Sequence, residues 1–384
     1  MIERRIYATR VYATMNACAK LTAILALLMS VLVGGLALAQ EPTIGYVRPP
    51  SGPDAQKWGE PAQLPATVMP QLSDPKVWRD IRFGVVGTVS IPDSQAGQLI
   101  QSRGVDWVSY RNVSLRAWGA GGLAGVVVLL VVFFALRGRI RIDAGPSGHT
   151  VERFNFIERF AHWLTAGSFI ILAITGLNLL YGRQVLLPLL GLDAFAWFTN
   201  AGKFAHAYLA FAFMAGVILI LLLWVRHNLP DRTDLAWIAK GGGLFAKGSH
   251  PPARKFNPGQ KLIFWAVVIG GVSISLSGLA LLFPFTMALF ADSFAFANLF
   301  GFDLPTELTM LEEMQLSQIW HAIVGLILIV IIIAHIYIGS IGMEGAFAAM
   351  GTGMVDENWA REHHSLWLEE TRGADSAPGD KEAT

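Results

Sequence analysis

Five apolar segments, each long enough to cross a lipid bilayer as a helix, dominate this sequence. They cover residues 117–136, 156–180, 204–226, 261–284 and 317–340. The hydrocarbon core of a bilayer is about 30 Å thick, which a helix of about 20 residues spans. Charged residues make up only 15% of the 384 positions, against about a quarter in a typical soluble domain. The sequence therefore predicts an all-α transmembrane protein.

The charge of the connecting segments predicts the orientation in the membrane. Segment 137–160 carries five Arg or Lys residues, and 226–261 carries seven. Segment 181–203 carries two, and 284–316 carries none. Because Lys and Arg favour the cytoplasmic side, the first two segments are predicted to be cytoplasmic and the other two external. The C-terminus is then cytoplasmic and the mature N-terminus periplasmic, in a multi-pass protein of the bacterial cell inner membrane.

Composition divides the chain into several parts. Residues 1–39 have basic residues before an apolar core and small residues at its end, which predicts a cleaved signal peptide; an uncleaved first span is the alternative. Residues 40–114 are predicted to be an extracytoplasmic Pro-rich segment with a small domain, followed by an additional transmembrane helix at 115–137. Residues 150–341 are predicted to form a four-helix bundle. Residues 342–384 are predicted to be a cytoplasmic tail with an interfacial helix.

The counts of cysteine and of charge exclude several classes of function. Cys18, before the first apolar run, is the only cysteine, which excludes disulfide frameworks, Cys-ligated zinc, iron–sulfur clusters and c-type haem. A formal net charge of +1 gives no global basic field for nucleic acid. Any redox centre in this chain must therefore be held by histidine.

Four histidines lie in the apolar segments, at two predicted depths. His162 is near the cytoplasmic start of its span, and His206 is near the external start of the next. His321 and His335 are fourteen residues apart in one span, so they share a helix face about 21 Å apart along its axis. Two pairs follow: His162 with His335, and His206 with His321. Paired imidazoles at two depths predict two bis-histidine haems b, which shuttle electrons because no coordination position is left open.

Blander readings of these residues are also available. A lone membrane histidine is often satisfied by a hydrogen bond to a neighbouring helix, and a zinc site would need both pairs around one ion. Gly176, Gly325 and Gly339 share faces with the histidines and are predicted to give clearance for a flat macrocycle; small-residue helix packing is the alternative. The remaining histidines are predicted to be solvated or interfacial: His149, His227, His250, His363 and His364.

Several motifs together carry a resemblance to a known family. They include "RFNFIERFAHWLTAGSFIILAITGLNLLYG", "GKFAHAYLAFAF", "KFNPGQKLIFW", "QIWHAIVGLILIVIIIAHIYIG" and "WAREHHSLW". Over roughly residues 150–370 the chain resembles the gamma subunits of respiratory formate dehydrogenases, which are cytochromes b556. Residues 1–140 are similar to the extension found in longer members of that family.

The resemblance implies a di-haem four-helix bundle, with the outer haem on His206 and His321 and the inner haem on His162 and His335. It also implies two partners, a molybdenum or tungsten catalytic subunit that oxidises formate and an iron–sulfur subunit, and leaves a higher oligomer open. Electrons would pass from the iron–sulfur subunit through both haems to a quinone, menaquinone or ubiquinone, on the cytoplasmic side.

By the same resemblance, the quinone lies against His335 and near Asn257 and Gln260. The neighbouring Arg254, Lys255 and Lys261 are predicted to be solvated cytoplasmic charges. Two alternatives remain at this point. One is the cytochrome b subunit of another quinone-linked oxidoreductase, of the hydrogenase or thiosulfate reductase type, and the other is a haem-free membrane anchor or transporter.

Overall fold

The computed structural model describes residues 104–243, 248–283 and 286–376. The predicted signal peptide and residues 40–103 of the predicted extracytoplasmic segment lie outside these residues, as does the end of the tail. The chain divides into two compact units, Met1–Ala117 and Trp118–Thr384. The histidine pairs all belong to the second unit.

Helices make up nearly all of the described structure. They are α1 (Gly104–Ser109), α2 (Arg116–Arg137), α3 (Phe156–Val185), α4 (Leu187–Leu190), α5 (Leu192–Trp224), α6 (Arg232–Ala239), α7 (Pro258–Leu282), α8 (Leu289–Asn298), α9 (Met310–Tyr337), α10 (Ala348–Gly351), α11 (Glu357–His363) and α12 (Ser365–Ser376). Two π-helical turns, Tyr110–Leu115 and Ile338–Gly342, continue α1 and α9, and 3₁₀ turns lie at Val225–Asn228 and Gly241–Gly243. Strands β1 (Thr150–Glu152) and β2 (Met354–Asp356) form an antiparallel pair with Val151 opposite Val355.

Among the described residues, five helical stretches are long and apolar enough to cross a membrane. They coincide with the five predicted segments, which confirms the all-α transmembrane class. Two stretches begin earlier than predicted: the first at Gly104, inside the predicted extracytoplasmic segment, and α5 at Leu192 rather than 204. With 33 residues, α5 is about 50 Å long, so it extends beyond a hydrocarbon core of about 30 Å.

Capping boxes fix where three of the spanning helices begin. The pairs are Asn155 with Glu158, Asn257 with Gln260, and Thr309 with Glu312. In each pair one side chain accepts a hydrogen bond from the backbone of the other, in both directions, so that two otherwise unpaired N–H groups at a helix start are satisfied. The polar residues that precede each apolar run therefore set the register in which the helix enters the membrane.

Four spanning helices close into a bundle, in which α3 packs against α5, α5 against α7, α7 against α9, and α9 against α3. Small residues allow close approach, as is usual between membrane helices. A Cβ added at Gly216 of α5 would lie 3.1 Å from the Thr165 backbone of α3, and one at Gly271 of α7 would lie 3.0 Å from Val217. The additional helix α2 contacts α9 at Gly119, whose added Cβ would lie 2.7 Å from Leu326.

Residues 140–155, 225–243, 248–257 and 343–376 gather at one end of the bundle, here called the tail end. The opposite end, with residues 186–191 and 286–309, is called the far end. The tail end holds an aromatic core in which Phe154 packs on Trp224 and Phe256, with ring centroids 5.6 and 5.7 Å away. Trp359 and Trp367 from the tail are buried in the same core. The tail is thus an integral part of this end of the bundle rather than a helix lying apart on the membrane surface.

The structure corrects the prediction for His364, which is solvated or interfacial in the sequence analysis. Its side chain is 1% exposed, and its Nδ1 lies 2.8 Å from the carbonyl oxygen of Arg254. Burial lowers the pKa of His364 well below its usual range, and the nearby Arg153 guanidinium acts in the same direction. Burial likewise lowers the pKa of His363 to about 4. Both histidines are therefore neutral in the folded protein at physiological pH.

These buried histidines predict that the tail end weakens in mild acid. Their stabilisation is complete above the unfolded pKa of about 6.5 and is lost as pH falls below it, because the unfolded chain then binds protons that the folded chain does not. The slope is up to about 1.4 kcal/mol per pH unit for each group. Thermal unfolding at pH 7.5 and 5.5 measures it. A His363→Gln/His364→Gln variant should show a smaller loss, and a control at the exposed His149 should match the parent; equal losses in all three would contradict this account.

Candidate haem-binding sites

The tail-end histidine pair consists of His162 on α3 and His335 on α9. Their ring centroids lie 6.2 Å apart, and their planes are inclined by 58°. Both side chains are partly buried. The Nδ1 of His162 is buried and has no hydrogen-bond partner among the described residues, so no group of the protein restrains this ring through that nitrogen.

The far-end histidine pair consists of His206 on α5 and His321 on α9. The ring centroids are 6.1 Å apart, with planes inclined by 60°. Here each ring has a hydroxyl partner from another helix: Thr175 Oγ1 lies 2.8 Å from the Nδ1 of His206, and Ser277 Oγ lies 3.1 Å from the Nδ1 of His321. The structure therefore brings together the same two pairs that helix periodicity and depth predict.

The spacing within each pair fits one metal ion between two imidazoles. An imidazole nitrogen binds a first-row transition metal at about 2.0–2.1 Å, and the ring centroid lies about 1.1 Å behind that nitrogen. Two such ligands on opposite sides of one ion place their centroids about 6.3 Å apart, close to the observed 6.2 and 6.1 Å. The donor set is nitrogen alone, which suits haem iron. Within the described part of the chain, no three His, Cys, Asp or Glu side chains gather around a common point, as a structural zinc site would require.

The predicted glycine clearances are only partly of the expected kind. A Cβ at Gly176 would lie 3.5 Å from the His206 ring, whereas one at Gly325 would meet Ile274 at 3.4 Å, which is helix packing. Gly339 has no neighbour within 4 Å of an added Cβ, so the space beside it is open. Sequence reasoning missed Gly278 of α7, where an added Cβ would lie 3.2 Å from the His321 ring.

The structure gives Asn257 and Gln260 a role in starting α7. The Asn257 Oδ1 accepts a hydrogen bond from the Gln260 backbone N–H at 3.0 Å, and the Gln260 Oε1 accepts one from the Asn257 N–H at 3.1 Å. Their oxygens are engaged in these bonds, and their amide NH₂ groups remain available to a ligand. Contact of these residues with quinone stays a prediction.

A cavity of about 660 Å³ opens at the tail end. Its walls come from the end of α5, the loop before α7, and α12. They are Arg226, His227, Leu229, Pro230, Asp231, Arg254, Lys255, Trp367, Glu370 and Thr371. Neither Asn257 nor Gln260 is among them, although Lys255 lies only two residues before Asn257.

Two of the three cations predicted to be solvated are in fact buried and paired. The Nζ of Lys261 lies 2.9 Å from both carboxylate oxygens of Asp234, and the Nζ of Lys255 lies 2.6 Å from Glu158. Only Arg254, with its side chain 51% exposed, matches the prediction, and it pairs with Glu370 and Asp231. The apolar run of α7 begins at Lys261 itself, so the side chain enters the protein together with its counterion.

Glu158 also bonds the indole of Trp224, whose Nε1 donates to it over 2.9 Å. It lies one helical turn before His162 on the same face of α3. A fixed negative charge, neutralised by Lys255, therefore lies next to the tail-end pair on its cytoplasm-predicted side.

A bundle of apolar helices with two opposed histidine pairs has the architecture of a membrane cytochrome of the b type. Residues 153–353, just over half of the chain, match the family model described as prokaryotic cytochrome b561. The chain belongs to the prokaryotic cytochrome b561 family. The match covers both histidine pairs and ends inside the tail that completes the aromatic core.

Curated relatives match the same region. The chain is 27% identical over 224 residues to the formate dehydrogenase cytochrome b556(fdo) subunit of Escherichia coli K12, which covers 58% of this chain and 94% of that protein. It is 25% identical over 234 residues to the nitrate-inducible cytochrome b556(Fdn) subunit of the same organism, covering 59% and 94%. The cytochrome b556 subunit of Haemophilus influenzae is 26% identical over 222 residues, covering 55% and 79%.

Proposed function

We propose that this chain is the membrane cytochrome b subunit of a formate dehydrogenase. In this role it holds two b haems, receives electrons from an iron–sulfur partner subunit at the far end, and delivers them to quinone at the tail end. Formate oxidation belongs to a separate molybdenum- or tungsten-containing partner. The names of the curated relatives support the assignment to formate dehydrogenase over a hydrogenase or a thiosulfate reductase.

The spacing of the histidine rings is the observation that carries this proposal. Two opposed imidazole pairs, each spaced for one iron, lie at levels about 21 Å apart along α9. Haem held by two axial histidines supplies one-electron transfer, because the iron keeps no open position for oxygen or substrate. A haem-free anchor or transporter would have no use for this spacing at two levels.

The charge distribution supports an orientation with the tail end in the cytoplasm. The segments gathered there are those rich in Arg and Lys, whereas residues 286–309 of the far end carry none. Quinone reduction at the tail end would then take protons from the cytoplasm of a bacterial inner-membrane complex. We assign His335 two roles, one ring nitrogen toward iron and the other toward quinone, since ligating histidines commonly use their second nitrogen. Asn257 and Gln260 would contribute their free NH₂ groups.

A spectrum of the purified protein tests the proposal. The dithionite-reduced minus oxidised difference spectrum, with haem quantified per chain, should show two b haems in the parent. His206→Ala and His335→Ala should each lose one haem, and the haem lost should differ between the two variants. His149→Ala, at an exposed position of the tail end, should keep both. A parent without haem would overturn the proposal, as would loss of the same haem in both variants.

A further inference from the structure

Two hydroxyl groups reach the far-end histidines from the helices that supply no ligand at that level. Thr175 of α3 meets His206 of α5, and Ser277 of α7 meets His321 of α9. Both hydroxyl side chains are buried: Thr175 is 6% and Ser277 0% exposed. All four helices of the bundle therefore contribute to this one level, two with imidazoles and two with hydroxyls.

The neighbouring carbonyl groups determine the direction of these hydrogen bonds. A hydroxyl has a single proton to donate and two lone pairs that accept. Thr175 Oγ1 lies 2.8 and 3.1 Å from the carbonyl oxygens of Ile171 and Leu172. Each carbonyl offers a place for the hydroxyl proton, so that a lone pair is left to accept from the Nδ1–H of His206.

Ser277 repeats this arrangement on α7. Its Oγ lies 3.0 Å from the carbonyl oxygen of Ile274 and 3.3 Å from that of Ser273. The hydroxyl proton again goes to a helix carbonyl, and the oxygen accepts from the Nδ1–H of His321. With the proton fixed on Nδ1 in both rings, the lone pair of each Nε2 is left for iron.

The tail-end pair has no such support from hydroxyl groups. The Nδ1 of His162 is buried without a hydrogen-bond partner among the described residues. Thr165, three residues further along α3, is buried as well, but its hydroxyl bonds the carbonyl oxygen of Ala161 at 2.8 Å and no histidine. The two levels therefore differ in how the protein holds the second nitrogen of its imidazoles.

We propose that Thr175 and Ser277 are positioning residues that fix the tautomer of the far-end histidines and set the far-end haem at the lower reduction potential. The inference rests on the proposed function, in which these histidines bind haem. An imidazole that donates its Nδ1–H is more electron-rich at Nε2. Such a ligand favours ferric over ferrous iron, and hydrogen bonding around the ligands is one of the means by which proteins tune haem potential. Electrons that enter at the far end then pass to a site of higher potential at the tail end.

A redox titration of the two haems in the purified full chain tests this, by variants that separate hydrogen bonding from packing. Thr175→Val keeps the shape of the side chain and removes the hydroxyl, whereas Thr175→Ser keeps the hydroxyl and removes the methyl group that lies closest to Gly202. We expect Thr175→Val and Ser277→Ala to raise the far-end potential and leave the other unchanged. A tenfold weaker preference for ferric iron corresponds to about 59 mV in a one-electron couple.

The controls give each outcome one meaning. Thr175→Ser and Thr165→Val should leave both potentials at the parental values. If Thr175→Ser shifts the far-end potential and Thr175→Val does not, the side chain acts through packing and the inference is wrong. Parental potentials in both Thr175→Val and Ser277→Ala would overturn it equally, while two haems in the spectrum would leave the proposed function standing. Absence of haem from the parent would instead remove the proposed function itself.

Discussion

In a His162→Ala variant of the assembled complex, we expect formate still to reduce the far-end haem while electron delivery to quinone falls to background. The substitution removes one imidazole of the tail-end pair, whose ring centroids are 6.2 Å apart, and leaves the far-end pair intact. Electrons can then enter the bundle but find no carrier at the level beside the proposed quinone site. Formate-dependent reduction of haem and of quinone, followed separately by absorbance, measures the two halves of the path.

The control for this variant is an artificial dye that takes electrons directly from the partner subunits. Formate oxidation by the dye should stay at the parental rate, which shows that the catalytic partners are assembled and active. His149→Ala should behave as the parent in all three assays. Quinone reduction at the parental rate in a His162→Ala protein that has lost one haem would contradict the proposed path.

Removal of the counterion of Lys261 should produce the largest change in stability. In Asp234→Ala the ammonium group, 6% exposed, loses the carboxylate that contacts it through two oxygens at 2.9 Å. Breaking a buried ion pair leaves an uncompensated charge and costs about 3–5 kcal/mol. Because Asp231 and the carbonyl oxygen of Leu229 still contact Lys261, at 3.2 and 3.0 Å, we expect a loss of about 3 kcal/mol in the free energy of unfolding.

Two further variants separate this charge effect from general damage. An Asp234→Leu/Lys261→Met double variant should regain most of the lost stability, since a buried ion pair can be replaced by apolar side chains at little cost. Arg361→Ala removes an exposed partner of Glu357 and should cost no more than about 1 kcal/mol. Chemical unfolding in detergent micelles measures all of them. A double variant as unstable as Asp234→Ala would show that packing, not the buried charge, dominates at this position.

The sequence predicts the membrane helices and the histidine pairs because both depend on short-range periodicity. Apolar length determines where a helix can span, and the fourteen residues between His321 and His335 place both on one face of α9. The rings of His162 and His206 then meet them because each begins its own span at the matching depth. Nothing beyond the sequence is needed to anticipate these pairings.

The contacts that the sequence does not reveal depend on residues brought together from separate helices. Thr175 and Ser277 are ordinary small polar residues in apolar runs, and no spacing relates them to the histidines they contact. The burial of Lys261 follows from Asp234, 27 positions earlier, and the burial of His364 from Arg254, 110 positions earlier. A charge rule that counts loop cations correctly predicts the side of the membrane but not which cations are solvated.

The tail that closes the aromatic core is also the part of the chain that is synthesised last. Trp359 and Trp367 leave the ribosome only after every spanning helix, whereas Phe154 and Trp224, which share their core, are made some 130 residues or more earlier. At about 5–20 residues per second, the tail end waits several seconds for the residues that cover it. A nascent chain that has inserted α9 therefore holds all four histidines, yet its last-made aromatic residues decide when that end of the bundle becomes closed to water.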